Sequence, residues 1–174
     1  MMMLKSLLNE KKSSIVDRWL GHIRATYAPE TAAFLNGNKD RFANPVGHAL
    51  RTGTAAIFDD LLNGMDPEAV CRHLEGIIKI RAVQDFTPSQ AVSFVFLLKK
   101  AVRAELGEEA ESSRLAAELT EFDAQVDQVA LFAFDIFARC REQVYALRVN
   151  EANRSVAAVM KRFNCAGDPR GGGL

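Results

Sequence analysis

Several features that mark enzymes, nucleic-acid binders and membrane proteins are missing from this sequence of 174 residues. Its 22 basic and 22 acidic side chains cancel at neutral pH, and a chain without a basic excess is poorly suited to neutralise phosphates. No segment approaches the roughly 18 apolar residues of a membrane-spanning helix. Neither GxGxxG nor a P-loop occurs, so we expect no nucleotide site. From the balanced charge and the short apolar segments we expect no nucleic-acid partner and no membrane association.

Cysteine and histidine are sparse and poorly spaced for chemistry. Cys71, Cys140 and Cys165 form no CxxC pair and follow no secretory leader, so we expect reduced thiols in a cytoplasmic protein. No two of the three histidines have metal-ligand spacing, and we expect neither a metal nor a cofactor. One alternative stays open, in which His48 or His73 is the axial ligand of a haem in an apolar pocket.

Three helix starts share one pattern, with a side-chain oxygen at the cap position and proline at the first helical residue. They are Asn44-Pro45, Asp66-Pro67 and Thr87-Pro88. Gln90, three residues after Thr87, completes a capping box. The pattern predicts helices over about 45–62, 67–84 and 88–106.

The sequence signals for helix starts and ends are weaker before Asn44. Apolar residues at spacings of four predict a first helix over about 4–27, either continuous or restarted at Ser13 or Ser14. Residues 28–43 read as a loop that Phe34, Leu35 and Phe42 attach to the core.

The longest uninterrupted segment runs from about Ser112 to Arg162 and has no proline or glycine. Its apolar residues recur at alternating spacings of three and four, the heptad pattern of a helix that packs along one stripe. A single helix of this length would be roughly 75 Å long, so we predict that it breaks or projects from the body. The stripe consists of Leu115, Leu119, Phe122, Val126, Val129, Ala133, Ile136, Cys140, Val144 and Leu147.

Apolar residues also flank the stripe between 129 and 140, which places this portion at the centre of the domain or in a dimer interface. We predict a single helical domain over residues 1–163 and a flexible tail over 164–174. The predicted dimer seam consists of Val126, Val129, Ala133, Ile136, Cys140 and Val144.

Only carboxylates suggest catalysis. Asp123 and Asp127 share a helical face at i, i+4, as a general acid/base pair or a solvated face would. Asp135 lies in an apolar run four residues before Arg139, which predicts a buried carboxylate in a structural ion pair or, alternatively, a ligand-pocket acid. No Ser/His/Asp or Cys/His set can be assembled from neighbouring residues, so we expect no enzyme.

Three segments resemble one known family. The most specific runs from Ile80 to Val92 and continues over 94–100; the second is 42–48, and the third begins at Cys140 and ends at Asn150. Together they span about 13–151 and resemble the RsbRD-type N-terminal domain of RsbT co-antagonist proteins. The resemblance implies an all-α, globin-like helical bundle without haem, which senses a signal, dimerises and ends in a long C-terminal helix.

In regulators of this kind the long helix leads to a STAS domain, and the assembly holds a switch kinase. This sequence ends soon after its helix, so we expect a stand-alone homodimeric sensor that acts on a separate regulatory protein in stress or sigma-factor control. Small-molecule or haem sensing in a globin-like cavity is the alternative. The family motif also marks residues that either line a ligand or interface site or fix a turn: Asn44, Pro45, Arg81, Gln84, Asp85, Pro88 and Gln90. We add Asp135 to this set.

Overall fold

A computed structural model describes residues 2–37, 42–84 and 86–166, and the regular elements in these ranges are helical. The prediction of an all-α fold with a long C-terminal helix is confirmed, whereas its globin-like character stays a prediction. A short 3-10 helix, Gly107–Glu111, precedes the last element. The α-helices are α1 Met2–Glu10, α2 Lys12–Arg24, α3 Pro29–Gly37, α4 Pro45–Leu62, α5 Pro67–Val83, α6 Pro88–Val92, α7 Leu97–Leu106 and α8 Ser113–Ala166.

The three capped starts form as predicted. Asn44 Oδ1 accepts a hydrogen bond from the Gly47 amide at 2.8 Å, and Asp66 caps α5 in the same way. At α6 the Thr87 hydroxyl accepts from the Gln90 amide at 3.3 Å, while Gln90 Oε1 accepts from the Thr87 amide at 3.0 Å. Each bond satisfies an amide that the first helical turn leaves without a partner.

Three predictions for the first 43 residues are corrected. The first helix is divided at Lys11 rather than at Ser13 or Ser14. The predicted loop over 28–43 contains α3, because Pro29 starts a helix as readily as it ends one. Leu35 is buried in the core as predicted, but Phe42 is 89 % exposed and Phe34 is also exposed.

The predicted helix over 88–106 is also corrected, since a turn over residues 93–96 separates α6 from α7. A distant side chain accounts for the turn. Trp19 Nε1 donates to the Phe94 carbonyl at 2.7 Å, and the two rings are stacked with centroids 6.4 Å apart. That carbonyl therefore accepts a hydrogen bond from the Trp19 side chain. The Phe94 side chain is fully buried.

The core lies where α4 and α8 pack on α5. Gly53 lets α4 approach α5 closely, because a Cβ atom at this position would come within 2.9 Å of Ile77 Cδ1. The α8 residues from Leu115 to Cys140 in the predicted stripe are buried on the same core.

The C-terminal part of α8 projects from the body, as predicted. Every side chain from Tyr145 to Phe163 is exposed, over a length of roughly 28 Å at 1.5 Å per residue. The helix continues to Ala166, and the rest of the predicted tail lies outside the described residues. None of the described helices is long and apolar enough to cross a membrane.

Candidate functional site

Arg81 is a buried cation in the last turn of α5. Its side chain is 0 % exposed, and three aromatic rings surround the guanidinium. The Cζ atom lies 5.2 Å from the ring centroid of Tyr27, 4.9 Å from Phe86 and 5.0 Å from Phe94. Such contacts stabilise a cation by about 0.5–1 kcal/mol each at exposed sites and by about 2 kcal/mol when water is excluded.

The hydrogen bonding of this cluster is incomplete. Arg81 Nη1 donates to the Gln90 carbonyl at 3.0 Å, whereas its Nε and Nη2 atoms are buried without a partner in the described ranges. Gln84 Oε1 is also buried without a partner among the described residues, while the Tyr27 phenol lies beside the guanidinium. Burial lowers the pKa of Arg81, and the neighbouring Tyr27 phenol opposes that shift. The site therefore has an excess of donors and a positive charge that no ion pair of the described residues balances.

The end of α5 is joined to the base of the projecting helix. Arg141 on α8 donates from Nη1 to the Ala82 carbonyl at 2.9 Å and from Nη2 to the Tyr145 hydroxyl at 2.8 Å. Its guanidinium also lies 4.9 Å from the Tyr145 ring centroid. Because Ala82 follows Arg81 directly, one hydrogen bond connects the cation cluster to α8.

The residues of the predicted dimer seam pack inside their own chain. Val126, Val129 and Ala133 are fully buried, and Ile136 and Cys140 are buried; Val144 is half-buried. Buried side chains present no surface to a second chain, so these five positions hold α8 on the body. This corrects their assignment to a dimer interface, while the homodimer itself stays a prediction.

A second apolar row lies on the other side of α8. Leu131 and Val149 are each nine residues from Cys140, about two and a half helical turns, which places them on the opposite face. The members of this row, which we call the outer stripe, are between 49 % and 71 % exposed. The outer stripe consists of Leu131, Phe134, Tyr145, Val149, Val156, Val159 and Phe163.

Comparison with known proteins identifies the family of the chain. The family model of the RsbT co-antagonist protein RsbRD N-terminal domain matches residues 13–152. The chain belongs to this family. No curated protein and no solved structure is significantly similar to it. The predicted family is therefore confirmed, and with it the general class of a sensor and signalling domain of RsbT co-antagonists.

The structure brings together part of the motif of this RsbRD-type domain. Arg81, Gln84, Pro88 and Gln90 meet where α5 ends and α6 begins, because the capping box holds the Gln90 carbonyl beside Arg81. Asp85 lies outside the described residues. The sequence marked Arg81, but not the rings that surround it, since Tyr27 and Phe94 are distant from it in the chain.

Asn44 and Pro45 have a different place in the domain. Pro45 is the first residue of α4. Asn44 is buried, and its Nδ2 donates to the carbonyls of Phe34 and Leu35 at 3.3 Å and 3.1 Å. These bonds attach α3 to the start of α4, which is a structural role.

Asp135 is exposed, which corrects its prediction as a buried carboxylate. Among the ion pairs of the described residues none joins it to Arg139. Both side chains line an open groove of about 480 Å³ between α5 and α8, beside Cys71. Burial raises the pKa of the Cys71 thiol, and the nearby Arg139 charge opposes this.

Asp123 and Asp127 form ion pairs, and His73 forms a hydrogen bond. Asp123 binds Arg103 at 2.5 Å and Asp127 binds Lys99 at 2.6 Å, so both carboxylates join α8 to α7. His73 Nδ1 lies 2.7 Å from Asp60 Oδ2. Within residues 2–37, 42–84 and 86–166, no group of three or more His, Cys, Asp or Glu side chains is arranged to hold a metal.

Proposed function

We propose that this domain is a non-enzymatic, cytoplasmic signalling module that forms a homodimer through the outer stripe of α8. A signal received by the body alters the packing of α8, and the projecting end passes the change to a regulatory protein partner. Family membership supports this class of function and a place in stress or sigma-factor control.

The outer stripe is the observation on which the proposal rests. Seven large apolar side chains lie along one face of a helix and are about half or more exposed. Burying a side chain of this kind contributes about 1.5–3 kcal/mol, so the stripe is costly to leave in water. From Tyr145 onward the spacings to Val149, Val156, Val159 and Phe163 fit one heptad register, with Ala152 at the intervening position.

A second copy is the occupant that this geometry favours. The side chains of the projecting segment are exposed, and helices in proteins gain most of their stability from packing an apolar face rather than from intrinsic propensity. Pairing with the identical stripe of another chain would cover both faces at once, because a twofold interface is self-complementary.

The proposal predicts the mass in solution. The wild-type chain should have the mass of a dimer by light scattering at micromolar concentration. Val156→Glu should weaken association at least tenfold, since a charge would be buried unpaired between two helices. Ala158→Glu is the matched control, because Ala158 is also exposed but lies on the opposite side of the helix from Val156. This variant should remain a dimer.

Circular dichroism distinguishes dissociation from unfolding. Both variants should retain the helical signal and the melting transition of the body, because both positions are exposed on the projecting segment. A monomeric wild-type chain at high micromolar concentration, or equal dimerisation of the two variants, would contradict the proposed interface.

A further inference from the structure

We propose that one side of the projecting segment of α8 docks an acidic helix of a protein partner. The surface, which we call the cationic flank, consists of Arg148, Arg154, Lys161 and Arg162. This inference deepens the proposed function, on which it rests for the signalling role of the segment, by stating the chemistry of the regulatory partner.

Positive charge is concentrated on the projecting segment. Four basic residues and one acidic residue, Glu151, lie between 145 and 163, although the whole chain has no net charge. All of these side chains are exposed. An exposed basic surface on a neutral protein favours acidic partners, because complementary potentials guide the encounter and disfavour the wrong partner.

The basic residues are confined to one side of the outer stripe. At 3.6 residues per turn, Arg148 and Arg162 border the stripe. Arg154 and Lys161 lie farther round the same side. Solubility alone would not confine the charges to one side of an exposed helix. The opposite side is uncharged and consists of Ala146, Asn150, Asn153, Ala157 and Met160.

The spacing within the cationic flank indicates a helical partner. Arg148 and Arg162 are two heptads apart, and Arg154 and Lys161 are one heptad apart. Both pairs therefore form nearly straight rows along the helix, with a spacing of roughly 10 Å per heptad. Carboxylates at seven-residue intervals on a second helix have the same spacing, so each of them can lie opposite a basic residue.

Two other classes of anionic partner fit the segment less well. Binding to nucleic acid relies on neutralising many phosphates, and the chain has no basic excess for this. Binding to a membrane surface would require the apolar residues of the outer stripe to enter the lipid, whereas a second copy covers them in the proposed dimer. The cationic flank lies beside the stripe and stays accessible in that dimer.

The cationic flank is linked to the body by hydrogen bonds. It begins about one turn beyond Tyr145, whose hydroxyl accepts from Arg141 Nη2 at 2.8 Å. Arg141 also donates to the Ala82 carbonyl at the end of α5. A shift of α5 would therefore change the direction in which the cationic flank is held against its partner.

The test uses two synthetic helical peptides of equal composition, each three heptads long. In the ordered peptide the glutamates recur at seven-residue spacing on one face, and in the scrambled peptide they are distributed around the helix. The labelled peptides are titrated with the full chain at physiological ionic strength, and fluorescence anisotropy measures binding. The ordered peptide should bind at least tenfold more tightly, because only its glutamates can reach the basic residues together.

Charge reversal locates the binding surface. Arg154→Glu combined with Lys161→Glu should weaken binding of the ordered peptide at least tenfold, since two attractions become repulsions. Glutamate favours a helix about as well as arginine and lysine do, and circular dichroism checks that the helical signal is retained. Lys5→Glu combined with Lys100→Glu is the matched control. It reverses two exposed charges elsewhere on the chain and should bind like the wild type.

Four results would overturn the inference: no binding of the ordered peptide, equal binding of the scrambled peptide, equal weakening in the two double variants, or tighter binding of duplex DNA or of phosphatidylserine vesicles. Light scattering separates this test from that of the dimer. The variant with Arg154→Glu and Lys161→Glu should keep the mass of the wild type. A monomeric wild-type chain that still binds the ordered peptide would contradict the dimer but support the cationic flank.

Discussion

Arg81 shows how one residue can be marked in a sequence while its environment is not. Its side chain is fully buried beside three rings that come from a turn after α2, from residue 86 and from the turn after α6. The planar guanidinium fits between flat ring faces and still donates to Gln90, which the compact and strongly hydrated ammonium of lysine does less well. Shape and charge are thus both required at this position.

At this residue, Arg81→Lys should lower the free energy of unfolding by about 2–4 kcal/mol, because a buried hydrogen bond and the stacking on three rings are weakened while the charge remains. Urea unfolding followed by circular dichroism measures the change. Arg18→Lys, which replaces an exposed partner of Glu105, should change stability by less than about 1 kcal/mol. Equal effects of the two substitutions would show that the contacts of the Arg81 guanidinium do not stabilise the fold.

The helix α8 combines two interactions on opposite faces. Its inner residues, including Val126 and Ile136, pack in the core, whereas the outer stripe remains exposed. A charge therefore has different consequences on the two sides of the same helix: inside it opposes folding, and outside it opposes association.

On the inner face of α8, Val126→Glu and Ile136→Glu should each reduce stability by several kcal/mol, since an unpaired charge would be buried. This is a large part of the roughly 5–15 kcal/mol that holds a domain together. Thermal unfolding should show a large fall in the midpoint or loss of the transition. Normal melting of both variants would mean that this face is not part of the core.

The bond between α5 and α8 gives a second prediction for this helix. Arg141→Met removes the hydrogen bonds to Ala82 and Tyr145 but keeps an apolar stem of similar length. We expect faster amide hydrogen exchange from Tyr145 to Ala152, with no change in the inner part of α8. Arg148→Met, an exposed position, serves as the control. If both variants exchange alike, Arg141 does not support the projecting segment.

At the scale of the whole molecule, sequence patterns predicted the features that residues close together in the chain form by themselves. The three caps were predictable because a side-chain oxygen and a nearby amide suffice to form them. The turn between α6 and α7 was not, because it depends on Trp19, which meets Phe94 only in the folded chain.

The proposed dimer interface was also hard to predict, because it depends on which residues meet in the folded chain. The heptad pattern correctly located the packed face of α8, but it could not tell whether the packing partner was α5 or another chain. Leu131 and Phe134 were visible as extra apolar residues beside the inner stripe. Only the folded body shows that they face outward and continue along the projecting segment.

Amide hydrogen exchange tests most directly whether a second chain covers the outer stripe. It is measured over residues 149–163 at low and at high micromolar protein concentration. Pairing should make these amides exchange much more slowly at the higher concentration, because the lone segment frays when it has no partner. The buried residues of α5 should exchange equally in both samples. Rapid exchange of residues 149–163 at both concentrations would contradict the proposed dimer.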